Sequence, residues 1–72
     1  MTRRFAITAV QWKNRTLGVL GFAYTLPEAE SRLSEAARLA TDYVDFTICS
    51  SLEEFQKFAE EAKANFEVWI PD

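Results

Sequence analysis

The sequence predicts an α+β fold, a two-layer sandwich in which both helices cover one face of a small mixed sheet. Four segments have the alternation or the apolar runs of strands, and two carry apolar residues at helical spacing. Each helical segment begins with a capping motif. The order is β-β-α-β-α-β, and right-handed crossovers between parallel strands lead us to expect both helices on the same face. We expect a single domain over residues 1–72.

The first two strands are predicted to form a hairpin. Residues 3–12 are rich in strand-forming residues, residues 13–16 are a polar break, and residues 17–24 form a second apolar run. Both faces of the hairpin are largely apolar, which is typical of central strands that are covered on two sides. Gly18 and Gly21 lie inside the second strand, where glycine indicates a bulge or close packing and not a phosphate-binding loop.

The first helix is predicted to begin at Thr25, which can form a capping box with Glu28. Pro27 suits the first turn, because amides there have no partner within the helix. The apolar stripe is thin and rich in alanine, so the helix can lie close to the sheet. Its members are Ala29, Leu33, Ala36, Ala37 and Ala40.

The second half of the chain repeats the pattern of strand and helix. Residues 43–49 alternate between apolar and polar, which indicates a half-buried strand. Serines and glutamates within residues 50–54 form a second capping box, and the helical stripe continues to about Ala64, with Asn65 as its predicted end. Residues 66–70 alternate again and are predicted to be a short final strand.

The composition argues against most classes of enzyme. The chain has no histidine and one cysteine, which excludes Ser-His and Cys-His nucleophiles and the usual zinc sites. We interpret Asp42 and Asp45 as loop and strand-surface residues, and Cys49 as a small half-buried or buried residue. The sequence thus predicts a protein that is not an enzyme, holds no metal and uses no cofactor.

The charge is divided along the chain. Residues 1–26 carry +4 and residues 27–72 carry −7, which together give the net charge of −3. The protein should therefore have a basic edge and an acidic body, a distribution that disfavours nonspecific binding of nucleic acid over its whole surface. A lone cysteine, no signal sequence and no apolar run of membrane-spanning length predict a cytoplasmic protein without a membrane partner.

The main candidate for a binding surface is the sheet face turned away from the helices. If the apolar residues of the third and fourth strands face the helices, their partners in the alternation share the opposite face. Aromatic residues lie there among acids, which repels phosphate and suits a basic protein. The predicted partner-binding residues are Tyr43, Asp45, Thr47, Glu67 and Trp69, with Cys49 on the same face.

The sequence leads us to expect a small, acidic, non-catalytic protein-binding module that inhibits a larger protein by blocking its basic, nucleic-acid-binding surface. Small acidic inhibitors of phages and mobile elements, including anti-CRISPR and anti-restriction proteins, have a similar size and charge sign. One alternative is a homo-oligomeric structural or regulatory subunit, such as a homodimer, that pairs with its own copy through the open sheet face. A second is a nucleic-acid accessory protein that uses the basic hairpin tip of Trp12, Lys13 and Arg15.

Overall fold

A computed structural model describes residues 4–66 and confirms the predicted order of strands and helices. The α+β class and the four-stranded mixed sheet are also confirmed. Of the predicted final strand, residues 67–70 lie outside the described residues. The elements are β1 (Phe5–Gln11), β2 (Thr16–Ala23), α1 (Leu26–Leu39), β3 (Tyr43–Cys49), α2 (Leu52–Glu61) and β4 (Asn65–Phe66).

The sheet is built around β1, in the order β3-β1-β2-β4. β1 is antiparallel to both of its neighbours, and β4 is parallel to β2. The residues from Ala6 to Val10 are all at most 2% exposed, although successive side chains of a strand point to opposite faces. Both faces of β1 are therefore covered.

The two helices lie on opposite faces of the sheet. In β3, Ile48 packs with Ile7 and Ala29 in the cluster under α1, whereas its neighbour Cys49 packs with Phe55 in the cluster under α2. Neighbouring strand residues point to opposite faces, so these two clusters are on different sides of the sheet. The expectation that both helices cover one face is not met, and the sheet has a helix on each side.

The direction of the two crossovers explains this difference. α1 joins β2 to β3 across β1, and α2 joins β3 to β4 back across β1 and β2. Two crossovers of the same hand that run in opposite directions along a sheet place their helices on opposite faces. The sequence-based expectation took account of the hand of the crossovers but not of the reversal in direction.

The helix on each face contributes a different kind of side chain to the core. α1 contributes Ala29, which has no exposed surface and allows a close approach to the sheet. α2 contributes Phe55, which is fully buried against Val10 and Leu17. The Phe55 ring also meets the ring of Phe66 edge to face, with centroids 5.9 Å apart. Phe55 is thus the largest buried group on the α2 face.

Both predicted helix starts are confirmed. The Thr25 hydroxyl accepts a hydrogen bond from the Glu28 amide at 3.3 Å, and the Ser51 hydroxyl accepts one from the Glu54 amide at 3.2 Å. The Glu28 carboxylate does not return the bond, and instead pairs with Arg32 at 3.1 Å. Each cap satisfies one of the amides that lack a partner in the first helical turn.

The end of α2 comes earlier than the sequence predicts, at Glu61 instead of about Ala64. Lys63 adopts a left-handed conformation, with φ of 54°. Its amide donates to the Glu60 carbonyl at 3.1 Å, and the Ala64 amide donates to the Ala59 carbonyl at 2.9 Å. This pair of bonds is a Schellman motif, which usually has glycine at the left-handed position.

An irregularity in β2 lies next to Gly21, but neither the backbone nor the packing there requires a glycine. Ile7 is opposite Gly21 but Thr8 is opposite Val19, so Leu20 is an extra residue in β2. A Cβ atom at Gly21 would meet no atom within 4 Å, and the glycine borders an open cavity of about 230 Å³ between β2 and α1. Gly21 also has no positive φ.

Replacing Phe55 with Ala should destabilise the protein by about 3–5 kcal/mol, because a cavity opens on the α2 face. Such a loss is comparable with the whole stability of many small domains. The exposed neighbour Gln56 is the matched control, and Gln56→Ala should change the stability by less than about 0.5 kcal/mol. Urea unfolding followed by circular dichroism measures both. Similar midpoints for the two variants would contradict the assigned packing.

Gly21→Ala should raise the free energy of unfolding by about 0.5–1 kcal/mol, because alanine restricts the unfolded chain and its methyl group enters open space. The same urea unfolding experiment measures the change. A lower free energy of unfolding in Gly21→Ala would contradict this prediction, because it would mean that the added methyl group meets other atoms.

Candidate protein-interaction surface

The predicted partner-binding residues of β3 do not share one face of the sheet. Thr47 is opposite Thr8, and Tyr43 is opposite Gln11. β1 has no extra residue between Thr8 and Gln11, so its side chains alternate regularly there. Because these two residues are three apart, they point to opposite faces, and their partners Thr47 and Tyr43 do so as well. The other two predicted residues, Glu67 and Trp69, lie outside the described residues.

A bulge in β3 causes this change of face. Two steps along β1, from Thr8 to Val10, correspond to three steps along β3, from Thr47 to Val44. Asp45 lies in this extra stretch with φ of 55°, in the left-handed region. The simple alternation of residues 43–49 therefore breaks in the middle of the strand.

The sheet face that was expected to be open is covered by α2. Cys49 is 2% exposed there, and its Sγ atom is 3.7 Å from the Thr8 hydroxyl. Burial raises the pKa of the Cys49 thiol above its ordinary value, the contact with Thr8 acts in the opposite direction, and the Glu54 carboxylate adds to the rise. A buried thiol with a raised pKa is a poor nucleophile, so the structure supports interpreting Cys49 as a packing residue.

Arg15 connects the hairpin tip to three other parts of the chain, and we call this set of contacts the Arg15 clamp. Its guanidinium donates to the carbonyl of Ala62, at the end of α2, and lies 3.8 Å from the Asp45 carboxylate in the bulge. Its carbonyl accepts a hydrogen bond from the Asn65 amide at 2.9 Å, where β4 begins. The last turn of α2 has no basic residue of its own, so Arg15 places a cation near its negative end.

Three residues with left-handed backbone lie at or beside the Arg15 clamp. Arg15, Asp45 and Lys63 have φ of 54°, 55° and 54°. This conformation costs an L-residue about 1–2 kcal/mol, so surrounding contacts must stabilise it. Arg15 contacts Asp45 directly and bonds to Ala62, which precedes Lys63. The clamp thus fixes the backbone at this end of the molecule.

One residue of the predicted partner-binding group, Asp45, lies beside the clamp together with Trp12 and Lys13 of the predicted basic tip. The Trp12 amide donates to the Asp42 carbonyl at 3.2 Å, which continues the ladder between β1 and β3 past Gln11 and Tyr43. The resulting patch has apolar and charged members, all of them exposed. We define the hairpin-end surface as Trp12, Lys13, Asp42, Val44 and Asp45.

Trp12 and Val44 form the apolar centre of the hairpin-end surface. Val44 is opposite Val10. Trp12 lies two residues beyond Val10, just past the end of β1, so continuing the alternation of the strand places it on the same face. Such diagonal neighbours are within reach of an aromatic side chain. Trp12 is 54% exposed and Val44 is 38% exposed, so α2 does not cover this corner of the sheet. Sequence reasoning identified Trp12 but not Val44, which was expected to face a helix.

Replacing Arg15 with Ala should destabilise the protein by about 1–2 kcal/mol, mainly through loss of its bond to the Ala62 carbonyl, because an exposed ion pair adds little. Lys13 is the matched control on the same turn, since it makes no ion pair within residues 4–66. Lys13→Ala should change the free energy of unfolding by less than about 0.5 kcal/mol. If Arg15→Ala and Lys13→Ala lowered the free energy of unfolding by the same amount, measured by urea unfolding, the proposed role of the Arg15 clamp would be contradicted.

The described residues form no other recognisable site. Between residues 4 and 66 no group of three or more cysteine or carboxylate side chains is placed to hold a metal ion. In the same range no helix is both long and apolar enough to cross a lipid bilayer. Comparisons with protein-family models, with curated proteins and with solved structures found no match.

Proposed function

We propose that this chain is a small, non-catalytic protein-binding module that captures a larger protein through the hairpin-end surface. The observation that carries the proposal is Trp12, a 54% exposed aromatic residue at the end of the central strand. Tryptophan is among the residues that contribute most to binding energy at protein interfaces. Trp12 directly follows β1, and its backbone is hydrogen-bonded to Asp42, which makes it a suitable centre for such a contact.

The composition of the hairpin-end surface supports this proposal. Trp12 and Val44 provide an apolar centre, and Lys13, Asp42 and Asp45 provide a charged rim. This arrangement is typical of protein interfaces. The hydrogen bond to Asp42 and the nearby Arg15 clamp hold the backbone in place, so little conformational entropy is lost on binding.

The charge of the protein as a whole favours a basic partner, although the hairpin-end surface itself contains Lys13 beside Asp42 and Asp45. The net charge is −3, and the exposed acids of α2, Glu53, Glu54, Glu60 and Glu61, outnumber Lys57 in the helix and Lys63 just after it. Opposite charges speed association and orient the partners. A module of this kind would inhibit a nucleic-acid-binding protein by covering its basic surface, as anti-CRISPR and anti-restriction proteins of phages do.

The two alternative functions are less well supported by the structure. The nucleic-acid hypothesis needs several free cations at the hairpin tip, but Arg15 is engaged with Ala62 and Asp45, which leaves Lys13 beside the acids Asp42 and Asp45. The self-pairing hypothesis needs a broad open sheet face, whereas α2 packs over that face and leaves the corner of Trp12 and Val44 exposed. Binding to a different protein is therefore the function that we propose.

The decisive experiment compares Trp12→Ala with Tyr24→Ala. Tyr24 is the matched control because it is also an exposed aromatic residue, at 60%, but follows the far end of β2. After the partner is identified by affinity capture from the source cell, Trp12→Ala should weaken binding by about 30-fold, or about 2 kcal/mol. Tyr24→Ala should leave the affinity within about threefold.

Both variants should keep the circular dichroism spectrum and urea midpoint of the parent, because both side chains are exposed. Unchanged affinity in Trp12→Ala would contradict the proposal. The proposal would also be contradicted if the captured protein were a second copy of this chain and the protein had the mass of a dimer in solution.

A further inference from the structure

We propose that the hairpin-end surface recognises an arginine side chain of its protein partner, with the guanidinium stacked on the Trp12 indole and hydrogen-bonded to the Asp42 carboxylate. This inference rests on the proposed function and specifies the chemistry of the contact.

The geometry of the sheet places the two groups together. The hydrogen bond of 3.2 Å between the Trp12 amide and the Asp42 carbonyl extends the register of the Gln11–Tyr43 pair by one residue. Trp12 and Asp42 each lie one residue beyond a strand, and this hydrogen bond joins their backbones. Residues that face each other across neighbouring strands in this way have Cβ atoms about 5 Å apart. A guanidinium over the indole can therefore reach the carboxylate beside it.

Both groups are available for a ligand. The Asp42 side chain is exposed and makes no hydrogen bond or ion pair within residues 4–66. Asp45 differs, because its carboxylate lies 3.8 Å from the Arg15 guanidinium. The Asp42 carboxylate is therefore the acceptor in the hairpin-end surface that an incoming cation can use.

Arginine suits this pair of groups better than lysine does. Its planar guanidinium stacks on an aromatic ring and still donates in its own plane to a carboxylate, whereas an ammonium group is compact and strongly hydrated. The chain itself contains a contact of this kind, since the guanidinium carbon of Arg4 lies 4.5 Å from the centre of the Phe22 ring. The Trp12–Asp42 pair offers the same ring contact together with an acid.

The test uses two peptides of equal charge, octa-arginine and octa-lysine, with binding measured by calorimetry at physiological salt. Both peptides carry the same charge, so their long-range attraction to the acidic body is similar. The difference reports stacking and directed hydrogen bonds, and the variants below show how much of it arises at Trp12 and Asp42. We expect octa-arginine to bind about tenfold more tightly, a difference of about 1.4 kcal/mol. In a Trp69→Phe background Trp12 is the sole tryptophan, and its fluorescence should change with octa-arginine.

Two variants should remove the preference for arginine, Trp12→Leu and Asp42→Asn. Glu30→Gln is the matched control, because it removes one exposed negative charge from α1 and should preserve the preference. Equal affinity of the parent protein for the two peptides would overturn the inference, as would an undiminished preference in Asp42→Asn.

The experiments distinguish a failure of the arginine inference from a failure of the proposed function. If the peptides bind equally but Trp12→Ala still loses the natural partner, the arginine inference is wrong and the binding surface stands. If Trp12→Ala keeps the natural partner, the proposed function is wrong and the arginine inference falls with it.

Discussion

The burial of both faces of β1 is the constraint on which the rest of this fold depends. Five consecutive residues of this strand are nearly inaccessible to solvent, so an apolar layer is needed on each side of the sheet. α1 supplies one layer with small residues such as Ala29, and α2 supplies the other with Phe55. The reversal of direction between the two crossovers is what allows 72 residues to provide both layers.

The Arg15 clamp links this core to the proposed binding surface. Its contacts join the hairpin tip to the end of α2, the bulge of β3 and the start of β4, so several separate segments are fixed at one corner. Arg15, one of the two cations of the basic hairpin tip, is instead part of this framework. What the clamp leaves exposed at that corner is Trp12, with Val44 beside it and Asp42 opposite.

Local features of the fold could be predicted from the sequence, and features that depend on distant contacts could not. The caps at Thr25 and Ser51 were predictable because capping involves residues three apart. The bulge at Asp45 and the helix end at Lys63 were not, because both place a residue other than glycine in a left-handed conformation. The role of Arg15 was also hidden, since its partner Ala62 is 47 residues away.

The central claim is that a partner covers the corner beside the Arg15 clamp, and hydrogen–deuterium exchange of the partner complex tests it most directly. The account predicts slower amide exchange in residues 12–15 and 41–45 on binding, with residues 24–26 unchanged. Protection confined to the outer surface of α1, or to the cavity beside Gly21, would contradict it.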